Sequence, residues 1–368
     1  MMQSKFKSDI IINSEEALFE LIRIAMGKNG RHLNYNKVLW DDVCTLSKKQ
    51  GVLGVAFEGY QRLETISRGD DLWYKWLGMT VSIERKYVHQ VHTIESLADF
   101  FQKRGVSMIL LKGFGLSLNY PTPSHRSFGD IDIYTIGEKG NIDEIIEKEL
   151  GIIVTKDIEK HSTFIYRGEK IENHNVFFDE HTNPSNEYIN GVLSELINGR
   201  LKTLQIGTTN IFIPNPTFMA IHLLRHSACD FAANTISLRQ LLDWATLVEM
   251  HRNDIEWPIV CSFVDDSGMS IFFEMINEGC ISWLEVDPCF FPCRLGDRAL
   301  LNKFKNEIFH GHRVSDFSDR SSIFSYGMAK SWQFWRNLWK YRMVYNDSPW
   351  SLYKSLVKNR LTHYSTYT

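Results

Sequence analysis

The fold of this chain turns on residues 108–134, MILLKGFGLSLNYPTPSHRSFGDIDIY. Met108-Ile109-Leu110-Leu111 is an apolar run short enough for a buried strand. Lys112-Gly113-Phe114-Gly115 breaks that run, and Leu116 to Tyr120 predict a short turn of helix stopped by Pro121 and Pro123. Arg126 follows, and then Gly129-Asp130-Ile131-Asp132-Ile133-Tyr134, where polar and apolar residues alternate. A strand has period 2, so Asp130 and Asp132 project from one face and Ile131 and Ile133 from the other. Two carboxylates side by side repel one another unless a cation sits between them. The alternative is a solvated strand end, which would also make Lys112-Gly113, Arg126 and Glu172 coincidental.

Periodicity assigns the rest of the chain more coarsely. Residues 14–105 read as helix: Ser14 as N-cap before Glu15 and Glu16, a second helix over 40–63 interrupted near Gly51 and Gly54, and a long third from Asp71 to about Lys103, stopped by Gly105. After residue 134, Asn141 starts a helix, 152–155 is extended, and 162–167 is a strand. Gly168-Glu169 makes a tight turn into a return strand over 171–178, with Glu172 and His174 on one face and Ile171 and Asn173 on the other. From Glu187 onward the reading is helical, with two helices joined near Ala233-Asn234 and another over 257–284. A loop-rich stretch over 285–325 and an aromatic, basic segment over 328–361 follow. The expected divisions are 1–104, 105–186 and 187–368.

Composition excludes some classes of function. No apolar run approaches about 18 residues, so no spanning segment is expected. The opening MMQSKFKSDIIINSEE lacks an apolar h-region, and the six cysteines are scattered as reduced thiols are; the expectation is a cytoplasmic protein. A net charge of -3 does not by itself select or reject an anionic partner.

A Gly-containing turn after a strand, Asp-x-Asp on the next strand and a lone carboxylate on a later one resemble the plan of the DNA polymerase β-like nucleotidyltransferase superfamily. Within it the chain resembles a bacterial branch of uncharacterised nucleotidyltransferases. The matching pieces are Leu110-Leu111-Lys112-Gly113, Arg126-x-x-Gly129-Asp130-Ile131-Asp132, and Ile171-Glu172-Asn173-His174. Ile213-Pro214, Ile221-His222-Leu223, His226 and Leu238-Arg239-x-x-Leu241-Leu242-Asp243 match further on, so the likeness spans roughly 105–260. Two departures stand out: Gly113-Phe114 replaces the superfamily's Gly-Ser or Gly-Gly, and the run from Gly113 to Asp130 is longer than usual there.

The resemblance implies an α+β fold, a small mixed β-sheet of the polymerase β-like type flanked by N-terminal and C-terminal helical regions. The active site would lie between the sheet and the C-terminal helices. It implies Mg2+-dependent transfer of an NMP group from an NTP to a hydroxyl of a small-molecule or protein acceptor, with pyrophosphate released. Two Mg2+ ions are expected with NTP bound. Asp130 and Asp132 would bridge the metals, and Glu172 would hold the one that activates the acceptor. The Lys112, Gly113, Arg126 and Gly129 stretch would bind the nucleotide, with Gly113 letting the backbone approach phosphate and Lys112 and Arg126 neutralising it. An ordinary strand-to-helix turn and a surface lysine are the bland readings; Ser117 is a lesser candidate.

His174 could position the acceptor, relay a proton or support the carboxylates. His222, His226 and Asp230, four apart, share a helix face near Cys229. Zinc would need four well-placed donors, so this face is read as lining the cleft toward nucleotide or acceptor. Arg239 and Asp243, also four apart, read as a structural ion pair. Lys330, Arg336, Lys340, Arg342, Lys354, Lys358 and Arg360, with Trp332, Trp335 and Trp339, could form a basic amphipathic helix at a membrane surface or partner. Core packing with a solvated basic face is the preferred reading. Nucleic acid is not an expected partner, and nothing reads as a processive polymerase. The alternative function is a non-catalytic nucleotide- or partner-binding protein that keeps the fold; a metal-dependent phosphodiesterase using the same carboxylates ranks third.

Overall fold

The apolar stripe of the first helix needs a cap for its free N–H groups, and Asn13, not Ser14, supplies it by accepting the Glu15 N–H at 2.9 Å. The computed structural model describes residues 13–30, 34–63, 68–137, 142–156, 161–180, 185–199, 201–207, 209–311 and 323–362. Helix α1 is Ser14–Ala25, α2 Trp40–Lys49, α3 Leu53–Gln61 and α4 Asp71–Gln102. The break between α2 and α3 falls at Gly51, where φ is +70°, while Gly54 lies inside α3. Asp70 caps α4 through the Trp73 N–H at 2.7 Å.

The α/β part follows as β1 Ser107–Leu110, α5 Gly113–Ser117, β2 Ile131–Ile136, α6 Ile142–Ile145, β3 Thr155–Lys156, β4 His161–Tyr166 and β5 Glu169–His174. Helix α7 Asn186–Gly199 leads into β6 Lys202–Ile206 and β7 Thr209–Ile213. Among the described residues the strands form one mixed sheet in the order β3-β4-β5-β2-β1-β7-β6. Strand β2 pairs antiparallel with β1 and parallel with β5, and β1 pairs parallel with β7.

Each face of this sheet closes a different core. Met108, Leu110, Ile131, Ile133, Phe164, Ile171 and Ile211 pack against Ile94, Leu97, Ala98 and Phe101 of α4. Burying Ile131 and Ile133 there is worth about 1.5–3 kcal/mol each, and a one-residue slip would put Asp130 and Asp132 into that core instead. This fixes the register that carries the carboxylates. Ile109 on the other face joins the larger core, built from α1–α3 and from the C-terminal helices.

Those helices are α8 Pro216–Ala232, α9 Leu238–His251, α10 Trp257–Asp266, α11 Ser270–Leu284, α12 Arg298–His310, α13 Ile323–Arg336, α14 Leu338–Val344 and α15 Pro349–Thr362. Asn215 caps α8 and a Ser237–Gln240 capping box starts α9. Phe19 of α1 stacks on Trp283 of α11 at 5.7 Å, and Gln50 bonds both the Ile308 carbonyl and the Leu238 N–H. The N-terminal helices α1 and α2 therefore share one core with α9, α11 and α12. No helix among the described residues is long and apolar enough to cross a membrane.

Several sequence expectations need correction. Residues 202–206 and 209–213 pair as antiparallel strands rather than forming helix: Gly207, at φ +56°, follows β6, and β7 supplies the neighbour that β1 needs on its open edge. The single helix over 257–284 is two, broken at Gly268 with φ +67°. The loop-rich 285–325 contains α12. The β4–β5 turn is Arg167-Gly168, both at positive φ as a type I′ turn requires, and β5 ends at His174. The basic segment is three helices, not one: Trp339 packs edge-on against Phe231 at 5.5 Å, and Lys340 is fully buried against Asn234 and Glu307. The helix start expected at Asn141 and the side chains of Lys330, Lys358 and Arg360 lie outside the described residues.

Candidate active site

Parallel pairing sets Asp132 directly beside Glu172, with Ile131 beside Ile171 and Ile133 beside Asn173. Period 2 along β5 then turns His174 to the same face as Glu172. Asp132 is 7% exposed; its Oδ1 accepts from Lys112 Nζ at 3.1 Å and meets His174 Nε2 at 2.8 Å. Glu172 accepts a hydrogen bond from Lys170, and its other oxygen lies 4.0 Å from His174 Nε2. One donor atom from each of Asp132, Glu172 and His174 falls within 4.8 Å of the others. Asp130 lies outside that set, half-buried where the strand begins.

Charge in this pocket is unevenly compensated. Burial works against the Asp132 carboxylate, yet Lys112 and His174 outweigh it and hold its pKa far below the usual range. Burial also works against Glu172, and the Lys170 hydrogen bond turns the balance downward. Asp130 goes the other way: burial first, and then the negative charges of Asp132 and Glu172, push its pKa up. A divalent cation would relieve that pressure, and two carboxylates with an imidazole are a donor set that fits one.

The Lys112-Gly113 turn is held from outside the sheet. Gly113 has φ +24°, and a Cβ there would meet the Phe128 ring at 3.1 Å. Its carbonyl accepts from Arg126 Nη1 at 2.9 Å. Arg126, 6% exposed, also grips Asp243 of α9 in a bidentate pair, Nε to Oδ1 at 2.6 Å and Nη2 to Oδ2 at 2.8 Å. Tyr120 donates to the same Oδ1 at 2.6 Å. Burial works against the Arg126 charge, but Asp243 raises its pKa, and burial with Asp243 raises that of Tyr120. Arg126 thus anchors the turn, whereas the sequence reading had it meet the triphosphate. Asp243 pairs with Arg126 and not with Arg239, whose Nη1 reaches the Ser127 carbonyl at 3.5 Å. Phe114 stacks on Tyr87 at 5.9 Å inside the α4-side core, so the bulk at this family departure is directed away from the carboxylates. Ser117 is buried and bonds the Phe114 carbonyl. Gly129 is exposed with open space around it, and its carbonyl accepts from Lys86.

Beside Lys112 opens a cavity of about 350 Å³ between the sheet and α8, α14 and α15, walled by Phe177, Phe178, Asp179, His226, Asp230 and Tyr345 among others. His226 Nδ1 lies 3.2 Å from Asp230, whose carboxylate also accepts from Thr235 and Gln240. His222 lies deeper, stacked on Phe218 at 5.6 Å. Burial, and then the positive charge of Lys112, push its pKa well below the ordinary value, and its Nε2 has no hydrogen-bond partner among the described residues. The expected sharing of a face by His222, His226 and Asp230 therefore divides: one histidine is core and the other lines the cavity.

Sequence reasoning missed four contributors. Lys170 was legible, being two residues from Glu172 on the same strand. His161, 3.9 Å from Glu172, faces His174 across the hairpin, which follows once the turn is placed at 167–168. Tyr120 and the role of Asp243 left no local signal.

The sequence model of a family described as uncharacterised nucleotidyltransferase matches residues 36–280, more than half of the 368. No curated protein matches the chain. Among solved structures, the chain is similar to an antigenic nucleotidyltransferase-like protein from Paracoccidioides brasiliensis at 11% identity and a TM-score of 0.34, over 60% of this chain and 96% of that one. A likeness that slight carries no argument.

Proposed function

Because the chain belongs to the uncharacterised nucleotidyltransferase family, we propose that it transfers an NMP group from an NTP to a hydroxyl of a small-molecule or protein acceptor. The observation that supports this best is the convergence of Asp132, Glu172 and His174 within 4.8 Å, next to a lysine and a glycine turn. In the reaction the acceptor oxygen bonds to the α-phosphorus, the bond to the bridging oxygen breaks, pyrophosphate leaves with the electron pair, and the acceptor proton passes to water.

Of two divalent cations expected in the loaded complex, Asp132 and Glu172 would hold one, and Asp130 with Asp132 would hold the Mg2+ carried by the triphosphate. Bound there, the cation would polarise the phosphoryl group and favour the ionised acceptor oxygen. Lys112, between Asp132 and the cavity, is suited to exchange its carboxylate for a phosphate oxygen when the nucleotide arrives. Gly113 keeps the backbone bare where the phosphates pass, and Arg126 fixes that turn through its carbonyl. The cavity beside Lys112 is of a size to take the nucleoside or the acceptor, with His226 at its wall. The family match and the three carboxylates favour catalysis over a fold kept for binding alone. A cytoplasmic location belongs to the same reading.

The test is label transfer from each of the four α-³²P NTPs with Mg2+ and a cell extract as acceptor source, alongside thermal shift. Cation-dependent stabilisation with label moving to a product, both lost in Asp130→Ala/Asp132→Ala, is expected. No response of the wild-type protein to any NTP would sink the reading.

A further inference from the structure

One nitrogen in this cluster faces two carboxylates at once. His174 Nε2 is 2.8 Å from Asp132 Oδ1, a hydrogen-bond distance, and 4.0 Å from Glu172 Oε2, too far for one. The same nitrogen therefore lies close to both carboxylates and not to Asp132 alone. Donor atoms around a single first-row dication, with bonds of about 2.1 Å, stand about 3 Å apart when adjacent and about 4.2 Å apart when opposite. The two separations, 2.8 and 4.0 Å, each fall about 0.2 Å short of one of those values. His174 is itself wholly buried, so its nitrogen serves the cluster and not the solvent.

Mg2+ is hard, takes oxygen donors and keeps its waters; imidazole nitrogen suits Fe2+, Ni2+, Cu2+ and Zn2+, and Mn2+, the most oxygen-preferring of the same row, serves as their paramagnetic probe. We propose that His174 is a direct ligand of the cation held with Asp132 and Glu172, so that this position selects a first-row transition-metal dication over Mg2+. Asp130 lies outside the set and remains for the ion that travels with the triphosphate. The proposal rests on the reading above that the carboxylates work around divalent cations, but it concerns metal choice and needs no nucleotide.

Its test uses the full chain and Mn2+ alone. Pulsed electron paramagnetic resonance of the Mn2+-loaded protein is expected to show the ¹⁴N modulation of a directly bound imidazole, replaced by the ¹⁵N pattern when the protein carries ¹⁵N-histidine. His174→Gln should remove the modulation and weaken Mn2+ binding about tenfold or more while moving Mg2+ binding less than about twofold; His161→Gln should leave the modulation. If His174→Gln fails to fold, the isotope exchange in the wild-type protein and the His161 variant still decide. Absence of histidine-nitrogen modulation, its survival in a folded His174→Gln protein, its loss in His161→Gln, or no Mn2+ binding would overturn the assignment. Modulation without NMP transfer would leave this site standing and count against the transferase; transfer without modulation would do the reverse.

Discussion

Removing the Asp243 carboxylate should cost the protein stability far from the sheet and loosen the turn beside Asp132 in the same stroke. Asp243 is 2% exposed and accepts two hydrogen bonds from Arg126 and one from Tyr120. In Asp243→Ala the Arg126 guanidinium stays buried without its carboxylate and keeps the Gly113 carbonyl and the Tyr120 hydroxyl as neutral partners. Taking one member out of a buried ion pair costs about 3–5 kcal/mol, a large part of the roughly 5–15 kcal/mol that holds a folded protein. Replacing both members by apolar residues of similar size is commonly near neutral. Arg126→Met/Asp243→Leu should therefore recover part of that loss, the buried Tyr120 hydroxyl being left without its acceptor, yet it also removes the Nη1 bond that fixes Gly113, so NTP-dependent stabilisation should stay weak. Guanidinium unfolding followed by tryptophan fluorescence and circular dichroism reads the first effect; thermal shift with NTP and divalent cation reads the second. An Asp243→Ala protein within about 1 kcal/mol of wild type would refute the energetic argument. A double variant with wild-type nucleotide response would refute the positioning role.

Three further outcomes follow from particular contacts. Gly59→Ala should lower the melting temperature, because its Cβ would stand 1.9 Å from the Leu21 carbonyl oxygen and the backbones of α1 and α3 would have to part, a strain of about 1–3 kcal/mol or more; an unchanged melting temperature would contradict the packing. His125 bonds Glu58 and Glu84 at 2.9 Å each, and although burial opposes its charge, the two carboxylates raise its pKa. Its contribution is therefore fully present below the unfolded value of about 6.5 and is lost as pH rises through the higher folded value. The stability gap between wild type and His125→Gln should narrow from pH 6 to pH 9; a constant gap would remove the ion-pair reading. Lys340 is fully buried against Asn234 and Glu307, and burial pulls its pKa down. Lys340→Met should leave thermal stability within about 1 kcal/mol, whereas Glu307→Ala, which strands the ammonium, should cost about 3 kcal/mol or more; equal effects would contradict this asymmetry.

How much of this was legible in the chain itself depends on the range of the forces involved. Strand period alone put Asp130 and Asp132 on one face and Glu172 and His174 on another, because alternation is a local property. That the two faces coincide is a parallel pairing between strands about 40 residues apart, and no spacing announces it. Arg126 shows the limit most clearly: a cation near a glycine turn reads as a phosphate binder until its partner, 117 residues away, is known. The i, i+4 rule offered Arg239 for Asp243, and burial of Arg126 overrode it. The β6–β7 pair was missed because two five-residue strands around Gly207 sit between helices and gain their stability from β1, not from their own composition. Conversely, Phe114 departs from the superfamily's small residue in sequence and is a core residue in space.

The most direct measurement is a crystal structure of the full chain soaked with Mn2+ and an NTP analogue that cannot be cleaved between the α- and β-phosphates, recorded at a wavelength that reveals manganese. Anomalous density is expected between Asp132, Glu172 and His174, with the triphosphate over the Lys112-Gly113 turn and its α-phosphorus beside Asp130 and Asp132. Manganese bound elsewhere, or a nucleotide seated away from that turn, would contradict the assignment of this sheet face as a nucleotidyl-transfer site.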